Sequence, residues 1–140
     1  MNFYKGFFIF FQKITYTNRK ILYKINEILE PFGLKSSDWR VFVYLNHHQN
    51  STLAPICEFY QMDKAILSRV VSKLGKLGYI EFLKANDKRE KIITLSAKGK
   101  EVYFDANFCI RQYEKEILGI LNSQDQEKLL KLLDYINKKI

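Results

Sequence analysis

Asp87-Lys88-Arg89-Glu90-Lys91-Ile92-Ile93-Thr94-Leu95-Ser96-Ala97-Lys98-Gly99 reads as the charged tip of a hairpin that runs into a β-strand and then into the start of a helix. A second β-rich run, Tyr79 to Lys84, lies across the polar segment 85–90, so the two runs pair as antiparallel strands around a basic tip. A basic tip on two strands has the form of a DNA-contacting wing. Just upstream, Asp63 to Gly78 sets Leu67, Val70, Val71, Leu74 and Leu77 on one face of an amphipathic helix. The opposite face carries Lys64, Ser68, Arg69, Ser72, Lys73 and Lys76, with no acid between Lys64 and Ile80. A face of one charge sign suits a phosphate-lined groove. Asp63 is placed to cap this helix, and Gly78 to end it in a left-handed turn.

The 140 residues are enough for one domain with a real core, and the chain is read as a single domain over 1–140. A hydrophobic content of 47% excludes disorder, while a net charge of +8 points to a polyanionic partner, nucleic acid or an anionic membrane. No apolar run approaches the roughly 18 residues that span a bilayer. Phe7-Phe8-Ile9-Phe10-Phe11 is shorter than a signal-peptide core of about 7–15 residues and lacks a small-residue cleavage site, so the segment is expected to be retained. Cys57 and Cys109 are too few for a disulfide scaffold, which fits a reduced, cytoplasmic location.

Apolar residues at Phe7, Phe11, Ile14, Ile21, Ile25, Ile28 and Phe32 follow a 4-3 spacing and predict a long first helix that stops near Pro31. A second helix is expected from Ser36 or Ser37, capped by a serine hydroxyl, to about Asn46-His47-His48. Ser51 or Thr52 caps a short third helix through Tyr60, with Pro55 in its first turn, where a missing amide hydrogen costs little. Beyond the hairpin, a long helix is expected from Ser96 to about Leu121, with Val102, Ala106, Ile110, Tyr113, Ile117 and Leu121 on one stripe. Ser123 is placed to cap a last helix bearing Leu129, Leu132, Leu133, Ile136 and Ile140. The fold class is therefore mainly α with a small β-hairpin (α+β).

This order of elements resembles the MarR family of winged helix-turn-helix transcription regulators over residues 20 to 121. The resemblance is carried by Leu34 to Val41 with its Trp39-Arg40-Val41, by the 63–78 helix, and by Asp87-x-Arg89 followed by Leu95-Ser96-x-x-Gly99. It implies a homodimer whose helices at about 1–33 and 100–140 interlock, and a DNA-binding lobe at about 34–99. Phe7, Phe11, Ile14, Ile110, Tyr113, Ile117, Leu129, Leu133 and Ile136 would form the dimer interface. Terminal helices this apolar would otherwise leave large exposed patches; the alternative is that they fold back on their own domain.

The resemblance further places Lys64, Ala65, Ile66, Ser68, Arg69 and Lys73 on the exposed side of a recognition helix. Arg69 would read a guanine, Ile66 and Ala65 would touch thymine methyls, and Lys73 and Lys76 would meet phosphate. Asp87, Lys88 and Arg89 would form the wing tip, with Arg89 in the minor groove and Asp87 holding its guanidinium. The implied partner is a pseudo-palindromic double-stranded operator, with a small aromatic or anionic effector between the dimer helices and the lobe. Departures from the family pattern are Gln61 where a Gly is common, Leu53-Ala54-Pro55 and Phe59 in place of polar residues, and Gly75 where Glu is frequent.

His47 and His48 lack the further ligands a zinc site needs and read as a polar helix end. Cys57 and Cys109 read as small core residues with no cationic cluster to activate them. No cofactor motif, metal set or nucleophile-base-orienter arrangement appears, so an enzyme is not expected. The reading is a dimeric repressor. Its alternatives are a ligand-independent regulator reading A·T-rich DNA shape, or a protein-interaction or membrane-surface module built on the aromatic N-terminus.

Overall fold

The computed structural model describes residues 9–84 and 91–140. Helix α1 (Ile9–Leu29) tightens into a single 3-10 turn at Glu30–Phe32. The chain continues through α2 (Ser36–His48), β1 (Asn50–Ser51), α3 (Leu53–Tyr60), α4 (Lys64–Lys76), β2 (Ile80–Leu83), β3 (Ile92–Leu95), α5 (Ala97–Leu118) and α6 (Ser123–Lys139). Packing divides these elements into two compact units, one extending to Ala106 and the other running from Asn107 to Ile140. The wing tip expected at Asp87, Lys88 and Arg89, and Phe7 at the N-terminus, lie outside the described residues.

The chain reverses where the sequence supplies the stereochemistry. Pro31 cannot donate into a continuing α-helix, and Gly33 takes φ +75° while its N–H donates to the Glu30 carbonyl at 2.9 Å. The start of α2 departs from expectation. Neither Ser36 nor Ser37 caps it; instead the Asp38 carboxylate accepts the Lys35 N–H at 2.8 Å, and the Ser36 N–H donates to Asn26 of α1. A carboxylate at this position satisfies a free amide and also faces the positive end of the helix dipole. Gln61 adopts φ +51°, the left-handed geometry for which glycine is the usual solution, while the Met62 N–H bonds the Cys57 carbonyl at 2.9 Å.

Helix α4 has the caps expected of it. Asp63 accepts the Ala65 N–H at 2.9 Å. At the other end Gly78, at φ +79°, donates to the Gly75 carbonyl, and the Tyr79 N–H reaches back to the Leu74 carbonyl at 2.9 Å, the paired bonds of a Schellman stop.

The sheet has three strands, not the two of a bare hairpin, in the order β1-β3-β2 and antiparallel throughout. Asn50 and Ser51 pair with Thr94 and Ile93, a two-residue strand too short to leave an alternating pattern. On β3, Ile93 and Leu95 point into a core with Leu29, Val41, Phe42, Leu45, Ile56, Leu67 and Leu74. Trp39 lies between Phe42 and Tyr103 at ring-centroid distances of 5.8 and 5.2 Å, nearly parallel to both. Gly75, a weak residue for a helix interior, has the ring of Phe82 over it: a Cβ there would lie 3.2 Å from the Phe82 Cε2.

Helix α5 stops at Leu118, short of Leu121, and the N–H groups of Gly119 and Ile120 close the turn on Lys115 and Ile117. Asn122, rather than Ser123, caps α6 by accepting the Asp125 N–H at 2.8 Å. Cys109 is exposed and Cys57 half-buried, so neither is the core residue the sequence suggested. Each follows a large apolar neighbour in sequence, but helical geometry turns successive residues about 100° apart, and adjacency is no guide to burial.

Candidate nucleic-acid interface

Burial of Leu67, Val70, Val71 and Leu74 fixes which side of α4 faces outward. Lys64, Ala65, Ser68, Arg69, Ser72 and Lys76 are all exposed along it, as is Ile66 at 48%. Lys64, Arg69 and Lys76 enter no ion pair among the described residues. Three cations without an ion pair among the described residues therefore stand on one face, beside a small polar and apolar set of a size that can approach base edges.

Lys73 does not join them. Its ammonium sits 2.6 Å from the Asp38 carboxylate, whose side chain is 3% exposed, so although the Lys73 side chain is itself 40% exposed, its charge is already partnered within the protein. The physical reason is the position of Asp38. A carboxylate buried at the start of α2 needs a counter-charge as well as the Lys35 N–H. Lys73, one turn beyond Arg69, is the cation within its reach. The bond ties the recognition helix to α2.

The sequence did not single out two further residues that the structure brings to this face. Lys91, at the root of β3, lines a cavity of about 760 Å³ with Lys64, Ser68, and Thr52, Leu53 and Ala54 at the start of α3. The first amides of α3 are not capped by the Thr52 side chain, so the cavity lining combines a helix N-terminus and two lysines with one carboxylate, that of Glu58. Phe82, half-exposed over Gly75, has the Lys91 ammonium 5.9 Å from its ring centroid. Lys91 was visible in the sequence as a strand residue; its proximity to α4 follows from the β2-β3 register.

His47 and His48 are taken up in an aromatic cluster. His48 stacks on Tyr44 at 4.0 Å, with its Nδ1 3.1 Å from the Tyr44 carbonyl, and Phe59 and His47 meet the pair edge-on. Tyr60 lies under the Arg40 guanidinium; its burial raises the phenol pKa above the ordinary 10.0, outweighing the opposing pull of Arg40.

The residues expected at a dimer interface are unevenly covered. Every residue from Ile9 to Lys20 is exposed, including Phe11 at 66% and Ile14 at 45%. This runs against a first helix folded back on its own lobe. In the second unit, Ile117 and Leu129 are exposed, and Ile110, Tyr113, Leu133 and Ile136 are half-buried.

Residues 34–99 match the family model of a winged helix DNA-binding domain. Helix-turn-helix, three-stranded sheet and cationic recognition helix define the class: this is a winged-helix DNA-binding protein. The chain is 30% identical over 115 residues to the uncharacterized HTH-type transcriptional regulator YwoH of Bacillus subtilis, covering 82% of this chain and 84% of that protein. A crystal structure of a mutant MarR from Escherichia coli complexed with operator DNA superposes with a TM-score of 0.85 at 20% identity, over 97% of this chain and 99% of that one. Staphylococcus aureus MarR in complex with salicylate and kanamycin gives a TM-score of 0.82 at 24% identity, over 92% and 88%. The chain belongs to the MarR family of winged helix-turn-helix transcription regulators. It is a DNA-binding transcription regulator and not an enzyme. No helix among the described residues is long and apolar enough to cross a membrane.

Proposed function

We propose that the protein is a dimeric repressor that grips a pseudo-palindromic operator with one recognition helix per protomer and is released by a small aromatic or anionic effector. The observation that carries this reading is the pairing of a cationic outward face on α4 with an apolar first helix left uncovered over its first 12 residues. Ile9, Phe10, Phe11 and Ile14 are each more than 40% exposed, and a second copy of the chain is the economical cover for them. Helices 1–33 and 100–140 then act as dimer arms, with Ile110, Tyr113, Ile117, Leu129, Leu133 and Ile136 contributing from α5 and α6. Residues 34–99 form the reading lobe.

Within that lobe Arg69 takes the O6 and N7 of a guanine, the commonest specific contact in a major groove. Ala65 and Ile66 touch thymine methyls, and Ser68 bonds a neighbouring base or phosphate. Lys64, Lys76 and Lys91 meet the backbone, while Lys88 and Arg89 at the wing tip enter the adjacent minor groove with Asp87 orienting Arg89. The Staphylococcus aureus MarR complex with salicylate supports an aromatic acid as the effector class.

The test is sedimentation of the purified chain together with selection of bound duplexes from a random pool, repeated with salicylate present. A dimer that selects a two-fold symmetric site at least roughly 10³-fold over scrambled DNA supports the reading. A monomer refutes it. A dimer with a small specificity ratio would instead make it a reader of A·T-rich shape.

A further inference from the structure

Where α4 ends, three elements are fastened together by bonds that the reading of α4 as a recognition helix does not require. The Ser96 side chain, in a residue 7% exposed, donates from Oγ to the Gly78 carbonyl and accepts the Gly99 N–H at 2.9 Å. The Ser96 N–H donates to the Tyr79 carbonyl at 3.0 Å. Lys98 reaches back to the Leu77 carbonyl at 3.1 Å, satisfying a carbonyl left over at the end of α4. Gly99 lets the junction close: a Cβ there would overlap the Tyr79 carbonyl oxygen and lie 2.9 Å from its carbon. Finally the Tyr79 hydroxyl, on a residue 8% exposed, donates to the Phe32 carbonyl at 2.8 Å. Leu77 to Tyr79 are thus bonded to the first turn of α5 on one side and to the turn ending α1 on the other.

We propose that Tyr79 and Ser96 are positioning residues that transmit the geometry of the dimer arms to the recognition helix and so set the half-site spacing the protein accepts. The proposal rests on the dimeric reading above. Two helices held at a fixed separation bind a misspaced operator only if the DNA or the protein deforms. One inserted base pair moves a half-site about 3.4 Å along the axis and turns it by roughly one-tenth of a helical turn. In the protein, a joint between arm and recognition helix takes up that strain, and its stiffness comes from these bonds, of which those of Tyr79 and Ser96 are buried or part-buried. Loosening the joint lowers the penalty for a misspaced site while leaving the face of α4 intact.

The probe is the duplex selected by the wild-type full-length chain, resynthesised with one or two base pairs inserted at its centre, alongside a duplex carrying a single half-site. Wild type should lose about tenfold or more in affinity per insertion. Tyr79→Phe deletes one hydroxyl and no ring; it should cut that penalty about threefold or more, with half-site affinity within about twofold of wild type. Ser96→Ala should act in the same direction, and Ser96→Thr, which keeps the hydroxyl, should restore discrimination. If Ser96→Ala does not fold, Tyr79→Phe and Ser96→Thr still decide the matter. An insertion penalty unchanged in Tyr79→Phe, or a loss equally large on the single half-site, overturns the proposal. A wild-type chain that is monomeric or indifferent to insertion instead overturns the dimeric reading beneath it, a failure visible before any variant is made.

Discussion

Replacing Lys73 with alanine separates the role its charge suggests from the role its surroundings give it. Asp38 is held by two donors, the Lys35 N–H at 2.8 Å and the Lys73 ammonium at 2.6 Å. Removing the ammonium leaves a carboxylate in a nearly closed site with one amide as partner. Breaking a fully buried ion pair from one side costs about 3–5 kcal/mol. The Lys73 side chain, however, is 40% exposed, so water can follow its departure and take its place at Oδ2, the oxygen that also accepts the Lys35 N–H. The expected loss is therefore closer to about 1–3 kcal/mol, the cost of an incompletely satisfied buried group. For a chain of this size that is a fall in Tm of about 2–12 °C. Lys73→Arg, which keeps the charge, should lose less. A double-mutant cycle with Asp38→Asn should return most of the effect as coupling between the two positions.

Operator binding supplies the opposing test. Each duplex phosphate that the protein ceases to neutralise shallows the plot of log affinity against log salt by about 0.9. Lys73→Ala, measured well below its Tm, should leave that slope unchanged. A slope shallower by about one unit with an unaltered Tm would mean that Lys73 leaves Asp38 for the DNA backbone, and the assignment made from the ion pair would be wrong.

Arg69→Ala should cost about 1–3 kcal/mol in operator affinity and relax the preference at one base pair, read by repeating the duplex selection; unchanged selectivity would remove Arg69 as a base reader. Gly99→Ala should destabilise by about 3 kcal/mol or more despite the better helix propensity of alanine, because the clash is with backbone that no rotamer relieves. A neutral thermal melt would show that the α4–α5 junction has room. Tyr60 should ionise above its ordinary 10.0, seen as a late component in the ultraviolet alkaline titration that Tyr60→Phe removes. Because the folded phenol holds its proton more tightly than the unfolded one, its contribution is complete below pH 10 and declines as pH rises through the folded pKa. Loss of that component at or below pH 10 would contradict the burial.

What the sequence disclosed was what repeats or what geometry restricts to few residue types. The inward face of α4 follows from the apolar spacing of Leu67, Val70, Val71, Leu74 and Leu77, of which the first four are buried, its start from Asp63, and its end from Gly78 at positive φ. Ser96-x-x-Gly99 was recognisable as a motif, yet its content was not: the serine bridges two elements, and the glycine admits the carbonyl of Tyr79 from the chain leading into β2. Strand β1 is two residues long and exists because β3 offers it a ladder, so its cause lies more than 40 residues along the chain. Gly75 looked like a weak point in a helix until the β2 register placed Phe82 over it.

The same distinction governs the cations. Sequence assigns Lys64, Arg69, Lys73 and Lys76 a common sign and a common helix, and from periodicity alone all four are available to phosphate. Whether a lysine can release counterions from DNA depends on what it already neutralises, and that is decided by a partner elsewhere in the chain. Asp38 lies 35 positions before Lys73, at a helix start where the sequence drew attention to Ser36 and Ser37 instead. Its burial, and therefore its claim on a cation, arises only once α2 packs against α4. Charge counting thus lists as equals one lysine that is already paired within the protein and three cations that enter no ion pair among the described residues, and it passes over Lys91, which lines a cavity with Lys64 from the sheet side.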